Sequence, residues 1–193
     1  MTRKITVNMY MTLDGYGEFP PYPGSDFSSE EPDDMFTELW IKRYNNVDTV
    51  VFGRRSYEGH LAVHSEAARK PSDPQYMFDY SRFLDRVQKV VLSNTLTSVE
   101  WQNSRLVKGD LADILAELRS APGKDIIVEG GPALVREVIQ RGLADDYRIA
   151  AWPVILGKGN HYWGPMESQQ TMKLLSVKYM PYGEIVLHYE AVR

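Results

Sequence analysis

The chain has 193 residues, 43% hydrophobic and 25% charged, with a formal net charge of −4. That length suits one domain, 1–193, able to bury roughly 70% of the surface its unfolded chain would expose. The acidic balance lacks the footprint of a nucleic-acid binder, and the absence of cysteine excludes disulfides, zinc–thiolate sites and a cysteine nucleophile. No run reaches the ~20 apolar residues of a membrane span, and the alternating N-terminus lacks an apolar signal core, so a cytoplasmic protein is expected.

Taken in chain order, Ile5, Val7, Met9 and Met11 alternate with Thr6, Asn8 and Tyr10, the period of a strand. LDGYGEFPPYPGSDFSSEEPDD has no period. Its length and its aromatics Tyr16, Phe19, Tyr22 and Phe27 predict a functional lid. Met35, Phe36, Leu39, Trp40 and Arg43 follow helical spacing after Asp33 and Asp34, predicting a helix over 33–45. VDTVVFG reads as a buried strand, RSYEGHLAVHSEAARK as partly helical, and PSDP as a breaker. A helix over 76–86, the strand KVVLSNT, the segment RLVKGD, a helix over 110–120 and DIIVEGG follow. After a helix over 132–141 come the strand DYRIAAWPVIL and two strands around a PYGE turn. Strands alternating with helices predict an α/β fold whose sheet is mostly parallel, with a C-terminal antiparallel hairpin at its edge.

The stretch DIIVEGGPALVREVIQRGL raises the question of what the glycine pair approaches. Pro132 suits the first turn of a helix, and Leu134, Val135, Val138 and Ile139 form one apolar face. Gly142 stands where a left-handed C-terminal cap belongs, with Leu143 as its hydrophobic contact. The helix therefore starts directly after Gly130 and Gly131. Its first N–H groups lack partners and carry partial positive charge, which suits a phosphate. A tight strand-to-helix turn is the plain alternative, and G-x-G-x-x-G is absent.

Two further strand ends favour a ligand. Gly53, Arg54, Arg55 and Ser56 follow one buried strand, and Ser93, Asn94 and Thr95 follow another. Ligands of open α/β sheets bind outside the carboxyl ends of strands. Arginines, small donors and a glycine-lined helix start together suit a molecule with several phosphates.

These residues resemble the dihydrofolate-reductase-like proteins, in particular the reductase domain of riboflavin biosynthesis. MTLDGY, VVFGRRSYEG, KVVLSNTL and DIIVEGGPALVREVIQRGLADDYRIAAWPVILGKG carry the resemblance, in order, over nearly the whole chain. The resemblance implies a three-layer fold with helices on both faces of the sheet, NADPH as hydride donor, and a homodimer. It implies that Arg54, Arg55 and Ser56 contact cofactor phosphates, Ser93, Asn94 and Thr95 the 2′-phosphate end, and Gly130, Gly131, Pro132, Ala133 and Leu134 the pyrophosphate, with Glu129 among the cofactor-binding residues. Gly53 belongs to the same set, and Asp14 and Gly15 would lie beside the nicotinamide. The expected activity is reduction of a small heterocycle, pterin- or pyrimidine-like. The alternatives are 5-amino-6-(5-phosphoribosylamino)uracil reductase and a non-catalytic NADP-binding module.

Asp14 is the first choice for a catalytic carboxylate and Glu38 a second, with Asp33 and Asp34 in the same region. Each also reads as an ordinary turn or helix-start acid. Lys158 would meet an anionic group or only solvent, and His161, Tyr162 and Trp163 would cover the core edge or a dimer contact. His60 and His64 stand four apart as zinc ligands do, but HLAVH lacks the glutamate of H-E-x-x-H and no third ligand is evident, so no metal site is expected.

Overall fold

The structure is a computed structural model that describes residues 2–17, 39–166, 169–180 and 183–192. Its strands are β1 (Ile5–Thr12), β2 (Val47–Gly53), β3 (Gln88–Leu92), β4 (Ser104–Val107), β5 (Asp125–Glu129), β6 (Asp146–Trp152), β7 (Met172–Tyr179) and β8 (Ile185–Ala191). The helices are α1 (Arg54–His64), α2 (Gln75–Arg86), α3 (Leu111–Ser120) and α4 (Pro132–Gln140). One sheet takes all eight strands in the order β4-β3-β2-β5-β1-β6-β8-β7. β4 through β6 in that order are parallel, and β8 runs antiparallel to both β6 and β7.

Two apolar cores cover the two faces, which makes three layers. On one face Val7, Met9, Val128 and Ile149 meet Leu111, Leu115 and Leu118 of α3 and Val135, Val138 and Ile139 of α4. On the other, Val50, Phe52, Ile127 and Ala150 meet Tyr57 of α1 and Tyr80, Phe83 and Leu84 of α2, together with Leu39 and Trp40. The continuous apolar runs of β2 and β5 follow from burial on both faces. Each fully buried leucine contributes about 1.5–3 kcal/mol relative to exposure.

The helix ends obey local rules. Asp110 caps α3 by accepting from the N–H groups of Ala112 and Asp113 at 2.9 and 3.3 Å. Gly142 has φ 60°. The N–H groups of Gly142 and Leu143 donate to Ile139 and Val138 at 3.0 Å, a Schellman ending.

One sequence expectation shifts, and two others fall largely outside the described residues. The strand expected over 146–156 ends at Trp152, because Pro153 has no N–H to continue the ladder. Of the helix expected over 33–45, residues 33–38 lie outside the described part, and Ile41–Arg43 form a single 3₁₀ turn. Most of the expected lid also lies outside it. Among the described residues no helix is long and apolar enough to cross a membrane.

Candidate functional site at the strand ends

Phe52 pairs with Glu129, and Gly53 with Leu92, across adjacent parallel strands. The residues that follow, Ser93, Arg54 and Gly130, therefore leave β3, β2 and β5 side by side on one rim of the sheet. A cleft of about 1050 Å³ opens there, lined by Gly53, Arg54, Arg55, Ser56 and the run Glu129 to Leu134. Gly17, from the loop after β1, lines it as well, and a Cβ on it would stand 2.6 Å from Cγ of Pro132 and 2.9 Å from Cε2 of Tyr162.

Two helices begin at this cleft. Gly53 is the N-cap of α1 and Gly131 the N-cap of α4; both have extended backbone and neither supplies a side-chain cap. The orphan N–H groups of both first turns are thus left for another acceptor, with the positive ends of two helix dipoles beside them. The glycine pair divides its work. A Cβ on Gly130 would stand 2.8 Å from Cδ2 and 3.1 Å from Cβ of Leu134, so this glycine admits neighbouring protein. A Cβ on Gly131 would meet nothing within 4 Å, so this one opens onto space. Those are the features a phosphate-bearing cofactor requires of its binding surface.

The other expected residues fall into distinct places. Arg54 donates to Glu58 at 3.1 Å in an exposed i,i+4 pair, which competes little with an incoming anion. Ser93, Asn94 and Thr95 follow β3 beside Gly53, but it is Leu92 that lines the cleft. The Ser93 hydroxyl accepts from the N–H groups of Thr95 and Leu96 at 3.2 and 3.1 Å, shaping its own turn. Glu38 lies outside the described residues, as do Asp33 and Asp34.

Asp14 and Gly15 stand apart from the cleft lining. The Asp14 carboxylate accepts from the Thr12 hydroxyl at 2.6 Å and from the N–H groups of Gly157 and Leu156 at 2.7 and 3.1 Å. The Thr12 hydrogen bond foremost, then those backbone donors, lower its pKa to about 2, so it is an ionised acceptor rather than a store of protons. Gly15, at φ 83°, leaves no room for a side chain beneath Trp163, whose Cδ1 would come within 2.7 Å of a Cβ. His161 closes this corner, its Nε2 2.7 Å from the carbonyl of Asp14. Lys158 is exposed outside the cleft.

One acid in the cleft is held in its neutral form by burial: Glu129, which the sequence suggests only as a cofactor contact. It is buried at the end of β5 and lines the cleft. Burial pushes its carboxyl up to about 8, against the opposing pull of the Asn8 amide and the Arg43 guanidinium. Oε2 has no hydrogen-bond partner among the described residues. Asn8 is its register partner on β1 and accepts from Arg43 at 3.2 Å. Tyr10, two residues along, also lines the cleft, and its hydroxyl accepts from the Trp40 indole at 2.6 Å. Arg136 and His60 complete a polar wall that periodicity does not reveal, since both sit on helices that read as ordinary amphipathic segments. Among the described residues no group of three or more acids and histidines could hold a metal.

The RibD C-terminal domain model matches residues 3–186, and the chain belongs to that family. The Bacillus subtilis (strain 168) protein YyaP is 26% identical over 189 residues, covering 97% of this chain and 95% of its own. A protein of Shewanella sp. PV-4 named for riboflavin biosynthesis superposes over the full length of both chains with a TM-score of 0.72 and 22% identity. Dihydrofolate reductase from Enterococcus faecalis, solved with NADP(H), matches with a TM-score of 0.56 and 12% identity over 98% of this chain and 97% of that one. The fold is therefore the dihydrofolate-reductase-like one.

Proposed function

We propose that the protein is an NADPH-dependent reductase that delivers a hydride to a small pterin- or pyrimidine-like heterocycle. The observation that carries this reading is the meeting of two helix starts without side-chain caps and a buried, protonated carboxyl in one cleft. Family membership and the reductase fold support it, as does the cofactor named for the Enterococcus relative.

NADPH would supply the hydride. Arg54, Arg55 and Ser56 at the start of α1, and the N–H groups of Gly131, Ala133 and Leu134 at the start of α4, would hold its phosphates. Ser93, Asn94 and Thr95 on the same rim would take the 2′-phosphate end. Glu129 holds a proton at neutral pH and can give it to a heterocyclic nitrogen or oxygen as the hydride arrives. Buried beside Asn8 and Tyr10, it keeps that proton away from water. Asp14 positions the turn at 156–157 instead of reacting.

Riboflavin-pathway relatives favour one particular substrate class, a ribosylaminopyrimidine phosphate, as the second reading. A homodimer is supported by the edge strand β7, where Leu174, Leu175 and Tyr179 are exposed; light scattering tests it. The reductase reading is tested by nicotinamide fluorescence with NADPH and NADH, then by NADPH consumption with dihydrofolate and aminouracil substrates. Tighter binding of NADPH than NADH, with turnover of at least one heterocycle, is expected. Binding without turnover on a broad panel would leave a nucleotide-binding module, and no binding of either dinucleotide would end both readings.

A further inference from the structure

His60 lies in the second turn of α1, and its side chain lines the cleft. Its Nδ1 is 2.8 Å from the carbonyl oxygen of Ser56. A carbonyl only accepts, so Nδ1 carries the proton. Burial holds the ring neutral by lowering its pKa. Nε2 is then a lone pair that can accept and cannot donate, and it has no partner among the described residues.

The ring is also firmly placed. It packs on Phe52 with centroids 4.9 Å apart and stands 6.2 Å from Tyr80. His64 backs it at 5.9 Å, with its own Nδ1 3.1 Å from the Ser81 hydroxyl. Phe52 is the register partner of Glu129. An acceptor-only imidazole packed on Phe52 and the carboxyl-bearing register partner of Phe52 therefore line the same cleft.

We propose that His60 is a specificity-determining residue whose Nε2 accepts a hydrogen bond from a ring N–H or amino group of the bound heterocycle. The site then selects lactam and amino heterocycles over N-alkylated ones, because an alkylated ligand leaves a cleft acceptor unpaired. That the ligand is a heterocycle rests on the reductase reading; the acceptor character of Nε2 does not.

The test is calorimetric titration of wild type, His60→Gln and His60→Leu with lumazine and with 1,3-dimethyllumazine, in the presence of NADP⁺. Glutamine sets an amide oxygen near the position of Nε2, and leucine removes the acceptor. Wild type and the glutamine variant are expected to prefer lumazine by roughly tenfold or more, and the leucine variant to bind both ligands about equally. An unchanged preference in His60→Leu, a lost preference in His60→Gln, or no binding of either ligand by wild type overturns the proposal. Should the leucine variant not fold, the glutamine outcome still decides. NADPH binding is measured separately: if it fails while the lumazine preference follows residue 60, the reductase reading falls and the acceptor role stands.

Discussion

The ends of β5 and β1 are neighbours in the sheet, yet they treat polar groups in opposite ways. Beyond β5 the backbone donors of α4 start without a side-chain cap, Gly131 faces open space, and a carboxyl oxygen of Glu129 is buried without a partner. Beyond β1 the described residues close on themselves: the Asp14 carboxylate takes three donors, Gly15 is packed under Trp163, and His161 bonds back to Asp14. Buried polar groups left unmatched are costly, and the one on Glu129 belongs to a residue that lines the cleft. On the reductase reading the open corner binds the ligand, while the closed corner holds the 156–157 turn.

Removing the proton at the open corner should have the largest effect. Glu129→Gln keeps shape and burial, and kcat is expected to fall roughly 10²–10⁴-fold while NADPH affinity stays near wild type. Wild-type turnover should decline as pH rises through about 8, where the carboxyl ionises, and the variant should lose that inflection. Stability follows the same group. Its folded pKa is raised from 4.5 to about 8, so its contribution is complete below 4.5 and lost as pH rises towards 8. Thermal melts of the glutamine variant should be flatter across that window. Equal turnover in variant and wild type would move the proton donor elsewhere. Next in size, Gly131→Val places a side chain in open space, so it should fold normally and weaken NADPH binding roughly tenfold to hundredfold by blocking charge-assisted contacts. Unaltered affinity would remove the α4 start from the site.

The rim itself is legible in the sequence, because strand ends, the proline at the helix start and the Gly142–Leu143 ending obey local rules. The parallel α/β pattern implies the sheet but not its strand order, which is what sets β3, β2 and β5 side by side. What is not legible depends on tertiary distance. Nothing local separates Gly130 from Gly131; the difference is where the Leu134 side chain falls. Glu129 reads as a polar residue beside glycines, and only its burial next to Asn8 turns it into an acid that is protonated at neutral pH. Asp14 reads as a site residue through family resemblance, and the turn that captures it lies more than 140 residues later in the chain.

The remaining two variants separate the corners by stability. Gly130→Ala pushes a methyl group against Leu134, and overpacking of this kind costs about 1–3 kcal/mol, a loss of a few degrees in Tm. A melt unchanged by that substitution would mean the helix start shifts freely. Asp14→Asn should have the smallest effect. It removes a charge from the 156–157 turn, so Tm should drop modestly at neutral pH while NADPH affinity is retained. The folded pKa is depressed from 3.8 to about 2, so the wild-type advantage is present above 3.8 and disappears as pH falls through about 2. The two melting curves should converge in acid. If Asp14→Asn instead abolished hydride transfer with its melt unchanged, the carboxylate would be acting on the ligand, and the closed corner would belong to the chemistry after all.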